Sequence, residues 1–140
     1  MNKKTIFKWG VVFIWMGVIF AFSHQDASAS SDTSGWVVNV IQTVMINVTH
    51  EKVIEQLIVH FIREIAHFTV YFVLGLLLFN ALSFKGMIQL GFVLIIGGTY
   101  ALLDEWHQTF IPGRAFELTD ILIDLTGVFS ASLIGLFVKK

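Results

Sequence analysis

Residues 87–103, MIQLGFVLIIGGTYALL, contain no charged side chain. A run of this length and polarity fits the hydrocarbon core of a bilayer, which takes about 17–25 mostly apolar helical residues. Three further stretches have the same character: 6–22, interrupted by Lys8; 65–82, with His67 one turn in; and 121–138, broken by Asp124. The chain has 140 residues, too few to bury four such helices in a soluble core. Apolar residues make up 56% and charged residues 14%, against about a quarter charged in soluble domains. The expectation is one all-α integral membrane domain over 1–140, a bundle of four transmembrane helices plus external amphipathic helices. The apolar content excludes a disordered chain. A net charge of −1 offers no nucleic-acid surface. With no cysteine, disulfides, thiolate nucleophiles and thiolate-bound metals are excluded.

The first segment has a rival reading. Lys3, Lys4 and Lys8 form a basic start, residues 9–22 an apolar run, and Ala27-Ser28-Ala29 resembles a signal-peptide cleavage site. That site lies far beyond the apolar run, which favours a retained span. The Lys and Arg distribution then orients the bundle. Lys3, Lys4, Lys8, Lys85, Lys139 and Lys140 fall on one side, and Lys52, Arg63 and Arg114 on the other. Both termini are therefore expected in the cytoplasm, with segments 23–64 and 104–120 outside. All ten acidic residues and all five histidines then face outward. Trp36 and Trp106 fall at the outer interface and Trp9 at the inner one.

Between the first two spans, Val37, Val40, Ile41, Val44, Met45 and Val48 recur at helical spacing opposite Asn39, Gln42, Thr43 and Asn47. This predicts an amphipathic helix, resting on the outer leaflet or covering the bundle. A second helix follows Thr49, with Ile54, Leu57, Ile58, Phe61 and Ile65 as its apolar stripe, and leads toward the second span. The short 83–86 turn makes spans two and three a helical hairpin.

Ionisable residues inside a span are costly unless paired or hydrated, which makes them functional candidates. Arg63, His67 and Tyr71 are spaced four apart and share a helix face that Gly75 continues. Asp120 and Asp124 share a face of the last span, continued by Gly127, Ala131 and Gly135. Such a small-residue stripe admits a close neighbour, within the bundle or in a homodimer. The plain alternative to a functional role is a structural pairing of Arg63 or His67 with Asp124.

The densest stretch is 100–120, YALLDEWHQTFIPGRAFELTD. It is expected to form an external connection folded into the headgroup region. Pro112-Gly113 would turn Arg114 back toward the bundle. Arg63 and Arg114 suit a phosphate or carboxylate. Glu105 and His107 suit general base and acid, with Asp120 and Asp124 as further catalytic candidates. The ligand-binding candidates are Gln25, Arg63, His67, Tyr71, Asp104, Glu105, His107, Gln108, Arg114, Asp120 and Asp124. His67, His107, Glu105 and an aspartate are zinc-ligand types. E-x-H is no zinc motif, however, and the metalloprotease i, i+4 histidine pair is absent, so no metal or cofactor is expected. His24, His50 and His60 read as incidental.

Three blocks give the chain a resemblance to the VanZ-like family of small bacterial membrane proteins. They are F-S-x-Q at 22–25, R-x-x-x-H-F-x-x-Y-x-x-L-G at 63–75, and D-E-x-H-Q-x-F-x-P-G-R-x-x-x-x-x-D-x-x-x-D-x-x-G at 104–127. His24 stands where a second small hydroxyl residue is expected, and Asp124 where Asn is also common. The first block begins at the end of the first span, which strengthens the retained-helix reading. The family's named member is associated with low-level resistance to the glycopeptide teicoplanin. The resemblance thus implies a fold, a bacterial cell membrane and a phenotype, not a reaction.

Three functions follow as expectations. The first is a cell-envelope accessory protein binding an anionic lipid, a wall-precursor headgroup or a lipoglycopeptide at the outer leaflet. The second is an intramembrane hydrolase or transferase using Glu105, His107 and Asp120 or Asp124. The third is a structural or proton-linked transport role through His67 and Asp124.

Overall fold

The computed structural model describes residues 2–24 and 52–138. Within them the chain forms α1 (Lys3–Ser23), α2 (Lys52–Ala81), α3 (Gly86–Gln108) and α4 (Leu118–Val138), and no strand. Each helix contains a stretch long and apolar enough to cross a membrane. Gln25, Trp36 and the amphipathic helix expected over 37–48 lie outside the described residues.

The helices end where their backbone groups find other partners. Asn2 caps α1 by accepting the Lys4 N–H at 3.3 Å. At the far end of α2, Lys8 donates to the Asn80 carbonyl at 2.9 Å. The buried Gln89 amide donates to the carbonyls of Phe79 and Leu82. These side chains satisfy carbonyls that a helix C-terminus leaves without intrahelical donors. Gly86 then takes φ +60°, a left-handed conformation that favours glycine, to start α3. The helix expected after Thr49 is continuous with the second span, since α2 runs unbroken for 30 residues.

One expected boundary is corrected. Residues 104–108 are not part of the external connection; they are the last turn and more of α3. The connection is confined to 109–117. Apolar patterning stops at Leu103, but the helix continues because its polar residues find partners on other elements.

α2 and α4 form the main contact, with α3 against α4 and α1 laid on α2 and α3. The small-residue stripe makes that contact possible. A Cβ on Gly127 would lie 2.5 Å from the Phe68 carbonyl oxygen, and one on Gly75 2.8 Å from Ala131 Cβ. The stripe of α4 is thus used inside the bundle. α1 is bound in by Trp15 Nε1 donating to the Val70 carbonyl (2.9 Å) and the Tyr100 hydroxyl to the Met16 carbonyl (2.5 Å). These contacts make α1 a member of the bundle. Tyr71, Leu74, Leu78, Val93, Ala101 and Val128 fill the core. Outward-facing Phe7, Phe13, Ile14, Met87, Ile95 and Phe137 are exposed. So much exposed apolar surface on every helix suits lipid rather than water. This is a multi-pass membrane protein.

Candidate functional site

At the end of the bundle where α1 stops and α4 begins, buried polar side chains from every helix converge. α2 contributes Arg63, His67 and Tyr71 from one face, one turn apart. α4 contributes Asp120 and Asp124 from the facing stripe. The Arg63 guanidinium donates to Asp120 Oδ2 at 2.9 Å. His67 Nδ1 lies 3.1 Å from Asp124 Oδ1, and its Nε2 is 3.8 Å from Asp120 Oδ2. A chain of polar contacts therefore runs inward: Arg63, Asp120, His67, Asp124. The sequence left open which residue pairs with Asp124; it is His67, because the two helices align turn for turn.

The extended end of α3 supplies the rest. Asp104 Oδ2 accepts from the Ser23 hydroxyl at 2.7 Å, joining α1 to the site. Glu105 Oε2 accepts the Glu117 backbone N–H at 2.8 Å. With Asp120 in the first turn, this places negative charge at the N-terminus of α4, where the helix dipole favours it. Gly113, at φ +77°, turns the connection, and Arg114 N–H closes on the Ile111 carbonyl at 3.1 Å. Arg114 then donates to Gln108 Oε1 at 3.0 Å. Burial first, and then the Arg63 charge beside it, lower the Arg114 pKa below its usual value.

Asp104, Glu105, Gln108, Asp120, Asp124 and Tyr71 are all buried, while the Arg63 side chain keeps 29% of its surface exposed. Arg63 and the half-buried Arg114 thus form the rim, and the carboxylates form the floor. Several buried atoms have no hydrogen-bond partner among the described residues. The donors are Arg63 Nε, Arg114 Nε, Gln108 Nε2 and the Tyr71 hydroxyl; the acceptors are Asp104 Oδ1, Glu105 Oε1 and Asp124 Oδ2. Native interiors leave few such groups, and a concentration of them marks a place that takes water, ions or ligand.

The site therefore gathers Arg63, His67, Tyr71, Asp104, Glu105, Gln108, Arg114, Asp120 and Asp124. His107 stands at its edge. Its Nε2 meets His24 Nδ1 at 3.2 Å, and its ring lies 4.5 Å from that of Phe20. His24 thus makes a contact that no local pattern signals, since it joins residues 83 positions apart. Ser23 was also absent from the expected set, although the F-S-x-Q block pointed to it. His60 instead pairs along its own helix with Glu64 at 3.3 Å. Among the described residues, no three histidine, aspartate or glutamate side chains are placed to hold one metal ion.

Fold and site define a class: a helical membrane protein with four apolar helices long enough to span among the described residues, and a buried, charge-rich site at one end. The chain belongs to the VanZ/LLP1 family, whose pattern matches residues 8–139. No curated protein and no solved structure matches it.

Proposed function

We propose that this protein recognises an anionic headgroup at the outer leaflet of the bacterial cell membrane and serves as an accessory of the cell envelope. The observation that carries the reading is the pair of arginines set against the buried polar cluster, Arg63 on Asp120 and Arg114 on Gln108. Each keeps a buried Nε–H without a partner among the described residues, a donor that an anion could meet. Guanidinium forks match phosphate and carboxylate geometry. An anionic lipid, a wall-precursor headgroup and a lipoglycopeptide all carry such groups, which would connect the site to the teicoplanin phenotype of the family's named member. The Lys and Arg distribution supports the same sidedness, with both termini in the cytoplasm.

Native mass spectrometry on protein extracted gently from its own membranes tests this. Wild type is expected to retain a phospholipid or polyprenyl-phosphate species that Arg114→Ala loses, with helix content unchanged. Bare protein in both samples would overturn the reading. The hydrolase or transferase alternative asks His107 to act beside Glu105. His107 is turned to His24, and Glu105 already holds the start of α4. This arrangement favours recognition over that division of acid and base.

A further inference from the structure

The other end of the bundle differs in both shape and charge. A cleft of about 590 Å³ opens there, between the end of α2, the turn into α3 and the last turns of α4. That volume lies within the roughly 300–1,000 Å³ of small-ligand pockets. Phe79, Leu82, Leu133, Leu136 and Phe137 make its walls apolar. The buried Gln89 in the wall spends its amide N–H groups on the Phe79 and Leu82 carbonyls, so those donors ask nothing of an occupant. The exposed Lys85 also lines the cleft. Residues 1–25, 65–103 and 125–140 contain no Asp or Glu. No described acidic residue at this end therefore neutralises Lys85, or Lys8 on the Asn80 carbonyl. Gly86, first in α3, lines the cleft as well, and Lys85 as N-cap makes no side-chain hydrogen bond to the first-turn N–H groups.

We infer that this cleft seats an anionic phospholipid of the adjoining leaflet, with one acyl chain between the walls and the phosphate on Lys85. This is the leaflet opposite the polar cluster, cytoplasmic in the orientation proposed above, so the two sites take different lipid molecules. In a bilayer the chain gains contact rather than escape from water, because an unfilled cleft forfeits dispersion contacts along its walls. A soluble anion cannot supply those contacts. Charge supplies the selection. A basic residue beside an anionic leaflet attracts its lipids, whereas a choline headgroup would bring a second cation to an end of the bundle that holds only positive charge.

Nanodiscs of equal phosphatidylglycerol and phosphatidylcholine with the same chains test this, one lipid or the other carrying a diazirine in its acyl chain. After irradiation, adducts are located by peptide mass spectrometry. Wild type is expected to give about fivefold more glycerol-lipid than choline-lipid adduct on residues 79–89 and 133–137, the weight of one lysine near an anionic headgroup. Yields on the exposed Phe13 and Ile14 of α1 should be nearly equal. Lys85→Gln should bring the cleft ratio near parity. Leu133→Trp, which fills the cleft and keeps its charge, should remove the excess glycerol-lipid adduct. Arg114→Ala should leave it unchanged, which separates this site from the polar one. Equal yields of the two lipids in the wild-type cleft would overturn the inference. So would an equal glycerol-lipid excess on Phe13 and Ile14, which would mean enrichment around the whole chain. An excess that survives Lys85→Gln or Leu133→Trp would overturn it too. The wild-type comparison decides even where a variant fails to fold.

Discussion

The two halves of the α2–α4 seam meet by opposite means. Toward the site, the helices are joined by Arg63 with Asp120 and His67 with Asp124. Away from it, they are joined by the absence of side chains: Gly75 against Ala131 and Val128, Gly127 against the backbone of Phe68 and Phe72, and Gly135 against the Phe79 ring. Lipid tails are as apolar as leucine, so neither half gains from a hydrophobic effect between helices. Close packing and interhelical polar contacts must do that work. The glycine half is complete in itself. The polar half leaves buried donors and acceptors unmet among the described residues, as expected where stability has been yielded to function.

The comparison makes the glycine half the stronger support, and Gly127 is where to break it. A Cβ there would meet the Phe68 carbonyl oxygen at 2.5 Å, a backbone atom that cannot swing aside. Gly127→Leu should cost about 3 kcal/mol or prevent assembly, at the upper end of overpacking costs. Reversible unfolding in mixed micelles measures this. Gly91→Ala is the control, because nothing lies within 4 Å of the added Cβ. A Gly127→Leu protein as stable as the control would refute the division between the halves.

The polar half should yield less and show coupling. Arg63→Ala leaves the buried Asp120 carboxylate without its fixed cation. Because Arg63 is partly exposed, the expected loss is about 2 kcal/mol, below the 3–5 kcal/mol seen for fully buried pairs. Removing both partners should restore part of that loss, so Arg63→Ala/Asp120→Ala is expected to be more stable than Arg63→Ala alone. A double-mutant cycle gives the sign. Strict additivity would mean that the pair does not act as one.

The seam also shows how much was readable beforehand. Apolar runs marked four spans, and i, i+4 spacing put Arg63, His67 and Tyr71 on one face and Asp120, Asp124 and Gly127 on another. Those are local periodicities, and helices preserve them. Register between helices is not local, so the sequence could not choose the partner of Asp124. Nor could it show α3 continuing to Gln108. Hydropathy sees only the transfer cost of Asp104, Glu105 and Gln108, while the offsetting bonds come from Ser23, the Glu117 N–H and Arg114. The His24–His107 contact is another meeting of helix ends that periodicity cannot show.

The smallest expected effect concerns the one hydrogen bond between side chains that, among the described residues, ties α1 to the buried floor. Ser23→Ala removes the donor to Asp104 Oδ2 and leaves both oxygens of that carboxylate without a partner among the described residues. Interhelical hydrogen bonds in membranes average about 0.6 kcal/mol, and Trp15 and Tyr100 still hold α1 to its neighbours. Unfolding should therefore shift by about that amount. Function should shift more, because a second unmet oxygen on Asp104 changes what the floor offers to a ligand without moving a helix. Ser23→Thr, which keeps the hydroxyl, should restore lipid retention if the bond itself matters. Equal loss in Ser23→Ala and Ser23→Thr would point instead to the tight packing of α1 at that end. In that case the division seen along the α2–α4 seam would not extend to α1.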